Sequence, residues 1–154
     1  VTRLPHIFVD ADACPVKAET LRVAERHGLK TYIVSDGGVR PPASPLVELV
    51  VVAPGMDAAD NWIADHIGKG DIAITADTPL AARCIAEGAK VLRFNGEPFD
   101  EQSIGAALAT RDLMTHLRET GEITGGPRPF SKQDRSRFLN ALETTVQAVK
   151  RETA

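Results

Sequence analysis

The hydrophobic pattern of the chain begins with an apolar run that ends in charge. Ile7, Phe8 and Val9 are apolar; Asp10 and Asp12 follow one residue apart, before Cys14 and Pro15 turn the chain. "HIFVD" therefore predicts a first strand. "PVKAETLRVAERHG" has helical spacing, with Pro15 in the first turn and Gly28 as its stop. "KTYIVS" predicts a second strand, and "DGGVRPPASP" a loop. "VELVVVA" predicts a third strand, whose unbroken apolar run suggests burial on both faces. "DAADNWIADHIGKG" reads as a short helix, "DIAITA" as a fourth strand, "PLAARCIAEG" as a helix and "KVLRFN" as a fifth strand. Strand and helix alternate up to about Phe94, which is the order of a parallel sheet with helices on both faces.

After Phe94 the pattern changes. "DEQSIGAALATRDLMTHLRETG" predicts a long helix capped by Asp100, and "EITGGPRPF" a loop. "SKQDRSRFLNALETTVQAVKRE" predicts a final amphipathic helix capped by Ser131. The expectation is one three-layer α/β domain over residues 1–154. Its core, 5–98, holds a parallel sheet of about five strands. A helical C-terminal extension, 99–152, packs on the core or pairs two copies as a homodimer.

Composition narrows the function. A chain of 154 residues buries a sizeable core without staples. A net charge of −3 argues against coating nucleic acid by bulk electrostatics, but leaves room for a nuclease, whose acidic centre needs cations. The balance is uneven: Gly126 to Glu152 holds six Lys/Arg against three Asp/Glu, so this segment is +3 and the remainder −6. Two cysteines, Cys14 and Cys84, form neither a zinc spacing nor a redox pair, so a reduced, cytoplasmic setting is expected. No apolar run approaches membrane-spanning length, and "VTRLPHIF" lacks a signal-peptide core.

Ligands of open parallel sheets bind outside the carboxyl ends of the strands. Asp10 and Asp12 follow the first strand, Asp57 and Asp60 the third, and Asp77 the fourth. Brought to one rim, these carboxylates repel each other unless cations sit between them or some are protonated. Mg²⁺ or Mn²⁺ suits such oxygen donors. Plainer roles compete. Asp57 is placed to cap the next helix, with Asp60 supporting its first turn. Asp12 could serve the helix start near Pro15. Asp77 is harder to read as a cap, because Thr78 before Pro79 fits that position better. Asp10 is hardest to explain as scaffold, since a carboxylate ending an apolar strand is costly unless paired.

A phosphate substrate needs cations nearby. Lys17, Arg40, Arg128 and Arg135 are the candidates, with Arg83, Arg111 and Lys132 as further basic positions. Gly125 and Gly126 offer backbone N–H groups, although glycine pairs are more often plain turns. Cys14 reads as buried filler rather than nucleophile, and Trp62 as core or interface. Seven aromatic residues argue against extended stacking on single strands.

The segments "VDADACPVK", "SDGGVR", "PGMDAADNWI", "GDIAITADTPLA", "TRDLMTHLRETGEITGGP" and "SKQDRSRF" together resemble the YaiI/YqxD family of small bacterial proteins, from about Ile7 to Leu142. More distantly, the arrangement is similar to PIN-like and NYN nuclease domains. That resemblance implies a PIN-like fold and places Asp10, Asp57 and Asp77 at catalytic, metal-holding positions, with Asp12 and Asp60 as further metal ligands. Pro79 stands where the nuclease pattern often has a second Asp. The function implied is metal-dependent hydrolysis of phosphodiester bonds, in RNA before DNA.

Two other readings stay open. "IFVDADA" resembles the nucleophile strand of haloacid-dehalogenase-like phosphatases, with Asp10 as nucleophile, Asp12 as acid/base and Ser35 imitating a later motif, but no lysine stands out for the third motif. The other reading is a non-catalytic RNA- or protein-binding module on a PIN-like scaffold.

Overall fold

A computed structural model describes residues 4–40, 43–55, 57–121 and 129–153 of the chain. In chain order the elements are β1 (Ile7–Asp10), α1 (Lys17–His27), β2 (Thr31–Ser35), β3 (Val47–Val51), α2 (Ala58–His66), β4 (Ile72–Ile74), α3 (Thr78–Ala86), β5 (Lys90–Leu92), β6 (Pro98–Phe99), α4 (Ile104–Glu119) and α5 (Lys132–Thr153). The strands form one sheet in the order β3-β2-β1-β4-β5-β6. β1 to β5 run parallel, and β6 pairs antiparallel to β5. The chain leaves β1 toward β2 on one side and reaches β4 on the other, so the connections reverse direction between β1 and β4. A crevice opens there at the carboxyl ends of the strands.

Side chains alternate across a strand, and this sorts the helices into two layers. Ile7 and Val9 of β1, with Ile72 and Ile74 of β4, pack against α1 and α5 through Val23, Ala24, Phe138, Leu142, Val146 and Val149. Phe8 and Ala73 point the other way, onto Ile63 of α2 and Leu80, Ala81 and Cys84 of α3. By the same alternation, Asp10 emerges on the α2/α3 face. α4 packs on α3 and buries none of its residues fully. The three-layer expectation and the C-terminal helices are therefore present. α5 commits its apolar stripe to the chain's own core.

Three details differ from the expected pattern. β3 is not buried on both faces: it is the sheet edge, and Val51 is 62% exposed. A short apolar run has no periodicity that separates an edge strand from a central one. β6, two residues long, is too short to show an alternation and was not anticipated. The α4 cap also shifts: Ser103 occupies the capping position, and Asp100 Oδ1 accepts the Ser103 N–H at 2.7 Å. Ser131 does open α5. Its Oγ accepts the Asp134 N–H (3.1 Å), while Asp134 Oδ2 accepts the Ser131 N–H (2.9 Å), a reciprocal capping box.

The β5–β6 turn is held against α5 at Gly96, which has φ +90°. A Cβ built there would lie 2.7 Å from the Arg137 carbonyl oxygen and 3.1 Å from Ala141 Cβ. Gly96→Ala combines a left-handed backbone with a clash against helix backbone. It is expected to cost about 2 kcal/mol, read as a lower urea midpoint with unchanged slope.

Candidate functional site

Asp10 stands at the mouth of the crevice, and its partner comes from the adjacent strand end. The Thr75 hydroxyl, fully buried just after β4, donates to Asp10 Oδ2 at 2.9 Å. Thr75 Oγ1 in turn accepts the Asp77 N–H at 3.0 Å. One hydroxyl thus orients a carboxylate on β1 and fixes the start of α3. Thr75 was not singled out in the sequence: a hydroxyl in an apolar strand carries no pattern of its own, and its role follows from the β1–β4 pairing.

Asp77 is the N-cap of α3. Its Oδ1 accepts the Leu80 N–H at 2.8 Å, with Thr78 and Pro79 as the first helical residues. This corrects the assignment of the cap to Thr78. Proline is equally compatible with a cap one residue earlier, and the Asp77 carboxylate reaches the free Leu80 N–H. Asp77→Ala is expected to lose about 1 kcal/mol of stability. Asp77→Asn, which keeps an acceptor, should lose little; thermal melts of the two variants in EDTA compare them.

Asp57 and Asp60 exchange the emphasis expected of them. Asp57 precedes α2 with a left-handed backbone (φ 68°), is exposed and makes no side-chain cap bond. Asp60, one turn on, is half-buried and faces the crevice charges. Burial first, then the Asp77, Asp10 and Asp57 carboxylates, push its pKa up to about 6, against the opposing pull of Arg83. Asp10 is likewise raised, mainly by burial, with the Thr75 bond opposing and Asp77 and Asp12 adding to it. The inner group is therefore Asp10, Asp60 and Asp77, from β1, α2 and α3. The register of α2, rather than the spacing of its carboxylates in sequence, decides which one turns inward.

Asp12 diverges from Asp10. Its Oδ1 accepts the Ser35 hydroxyl at 2.8 Å and its Oδ2 the Asp36 N–H at 3.4 Å. It ties the β1 loop to the end of β2 and does not serve the start of α1. The N-cap of α1 is Val16, without a side-chain bond. Ala13 in this loop, at φ 64°, and Asp57 are the positive-φ non-glycine residues among those described. Both lie in rim loops, where strained backbone commonly accompanies function.

The basic candidates divide. Lys17 Nζ donates to the carbonyls of Cys14 (2.8 Å) and Ala11 (3.3 Å), holding the β1 loop closed. Arg135 donates to the Pro15 carbonyl, pairs with Glu19 at 3.3 Å and lies over the Phe130 ring at 5.0 Å, so it clamps α5 onto the same loop. Arg40 is exposed beyond β2. Arg128, Gly125 and Gly126 lie outside the described residues. Cys14 and Cys84 are buried thiols pushed up to about 11 and about 12 by burial, in keeping with filler rather than nucleophile. Trp62 stacks on His66 at 3.9 Å on the α2 face, away from the rim.

Among the described residues, no three His, Cys, Asp or Glu side chains stand close enough to grip one metal ion directly. The donor set fits a hard ion in another way. Mg²⁺ and Mn²⁺ retain several waters and need only one or two carboxylates. Self-repelling carboxylates around a crevice are relieved by such a charge.

The same residues carry a family match. Positions 8–148 match the family described as "Uncharacterized BCR, YaiI/YqxD family". The chain belongs to the YaiI/YqxD family. A UPF0178 protein of Rhodopseudomonas palustris (strain BisB5) is 57% identical over 149 residues, covering 97% of this chain and 91% of its own. The UPF0178 protein of Nitrobacter winogradskyi is 57% identical over 149 residues, covering 97% and 95%. That of Parvibaculum lavamentivorans is 59% identical over 148 residues, covering 96% and 97%. No solved structure matches the chain. The YaiI/YqxD match spans the rim and reaches into α5, so the extension belongs to the family unit. No described helix is long and apolar enough to cross a membrane.

The burial of Asp60 among these carboxylates also has a stability signature in this YaiI/YqxD chain. Asp60 keeps its proton to about pH 6 when folded and releases it near pH 4 when unfolded. The folded chain therefore binds the extra proton between these values, and stability rises as pH falls through that window. The displacement is worth at most about 3 kcal/mol, and solvent screening of a half-buried group reduces this to about 1 kcal/mol. Asp60→Asn is expected to raise Tm by about 3 °C at pH 8 in EDTA and to leave it unchanged below pH 4.

Proposed function

We propose that this protein is a metal-dependent phosphodiesterase acting on nucleic acid, RNA before DNA, with Mg²⁺ or Mn²⁺ as the cofactor and a cytoplasmic setting. The observation that carries the reading is the convergence of Asp10, Asp60 and Asp77 on the β1–β4 crevice, where burial first and then the neighbouring carboxylates hold Asp60 protonated to about pH 6. A fold gains no stability from such repulsion, whereas a site for a cation requires it. The positions of Asp10 and Asp77 relative to the PIN-like and NYN pattern support the same reading, while Asp57 stands exposed outside the inner group.

In this proposal Asp10 is the central ligand, oriented by Thr75. Asp60 and Asp77 would reach the ion through its retained waters, with Asp12 and Asp57 further out on the flanks. When bound, the ion acidifies a water and offsets charge developing on the phosphate. Lys17 and Arg135 keep the β1 loop in place through its carbonyls, while Arg40 is the exposed cation available to the strand's backbone. The Asp77 cap fixes the start of α3 and so the height of the third carboxylate.

A second reading, binding without turnover, is favoured by one observation: Asp77 Oδ1 and both Asp12 oxygens are already engaged in the chain's own bonds. Incubation with end-labelled single-stranded RNA and DNA separates the two. Cleavage in Mn²⁺ or Mg²⁺ that stops in EDTA is expected. Retention of intact strand under every metal would leave the binding reading.

A further inference from the structure

On the α1/α5 side of the crevice, beside the acidic rim, lies a cleft of about 370 Å³. Its rings are Phe94, just after β5, and Phe130, just before α5, both half-buried. Its inner wall includes Ala13 and Ala76. Ala13 follows Asp12, and Ala76 sits between Thr75 and Asp77, so the wall is the backbone of the rim itself. Any group lodged in the cleft is therefore one short step from the carboxylates.

The polar groups here are few and specific. Arg93 lines the cleft with its guanidinium over the Phe99 ring at 3.9 Å. Asn95 uses its Oδ1 to accept the Glu97 N–H at 3.0 Å; its NH₂ has no acceptor among the described residues. Arg135, at 5.0 Å over Phe130, steadies that ring. Two aromatic side chains, one amide donor and one guanidinium match what a flat heterocycle with acceptor atoms on its edge requires. The small floor residues leave room for a ring, and the Asp134 carboxylate in the lining is held by the Ser131 N–H and Arg137.

We propose that the cleft bounded by Phe94 and Phe130 receives one unpaired nucleobase of the strand whose backbone crosses the acidic rim. This rests on the phosphodiesterase reading for what lies on the rim, but the base site is separable from turnover. A base held there cannot remain paired, so single strands are bound and duplex is refused. With one slot instead of a platform, the scarcity of aromatic residues in the chain is no obstacle.

The test is fluorescence anisotropy in Ca²⁺ with two labelled probes: a short oligouridylate and an abasic ribose-phosphate strand of equal length. The wild-type chain is expected to bind the base-bearing strand about 10-fold more tightly. Phe94→Leu and Phe130→Leu, which keep apolar bulk and so spare the fold, should remove most of that preference and leave abasic binding unchanged. Equal affinity of the wild-type chain for the two probes, or no binding of either, would overturn the proposal. So would an undiminished preference in both Leu variants. Base preference without metal-dependent cleavage keeps the slot and rejects hydrolysis. Asp10-dependent cleavage without base preference does the reverse.

Discussion

Asp10→Asn is expected to lower Mn²⁺-dependent cleavage of single-stranded RNA on the order of 10³-fold, the scale seen when a charge-stabilising group is removed from a preorganised site. The substitution is informative because it separates charge from shape. Asn retains an oxygen that can accept the Thr75 hydroxyl, so the β1–β4 contact at the rim survives. Removing a carboxylate whose ionisation burial already disfavours also relieves repulsion on Asp60 and Asp77. The variant should melt at the same temperature as the wild type or higher at pH 8. A matching loss of Tm and activity would instead make Asp10 a structural residue. Equal cleavage by both proteins would remove it from the mechanism.

Phe138→Ala is expected to cost about 3–5 kcal/mol and to lower Tm by about 10 °C. Phe138, Leu142, Val146 and Val149 are each fully buried, and their spacings of four, four and three residues place them on one helical face. They close the core beneath β1 and β4 and against α1. Ion pairs at the surface, Arg26 and His27 with Glu143 at 2.9 and 2.8 Å, set the register but contribute little energy. A detachable tail would give an unchanged urea midpoint for this variant. An integral layer gives a lower midpoint with the same slope. Because the N-terminal turn of α5 also carries Arg135 to the Pro15 carbonyl and Glu19, loosening α5 should loosen the β1 loop and reduce cleavage as well.

What could be read beforehand follows the range of the interaction. β1 was legible because an apolar run ending in Asp10 is a local contrast, and α5 because its apolar stripe, Phe138 to Val149, repeats over about three turns. The ends of α1 and α5, at Gly28 and Ser131, were legible because stop and cap chemistry lies within a few residues. The edge position of β3 was not, since its neighbours in the sheet are set by pairing with β2 alone. Asp60 in place of Asp57 as the inner carboxylate was not legible either. It depends on how far α2 rotates when Ile63 is buried against Phe8 and its neighbours. Thr75 shares that origin, because its partner Asp10 is chosen when β4 docks beside β1; the Asp77 cap is local, and Thr78 before Pro79 offers competing cap chemistry one residue later. The divergence of Asp12 toward Ser35 has the same cause on the other side of the sheet, where β2 sets the end of the loop.

Oxygens from β1, α2 and α3 are proposed to share one hydrated cation at the β1–β4 crevice. Anomalous diffraction from crystals soaked in Mn²⁺ tests it most directly. A single strong peak among Asp10, Asp60 and Asp77 is expected, and it should disappear in Asp10→Asn. An empty crevice in crystals that carry Mn²⁺ elsewhere, or a peak unchanged by Asp10→Asn, would contradict it.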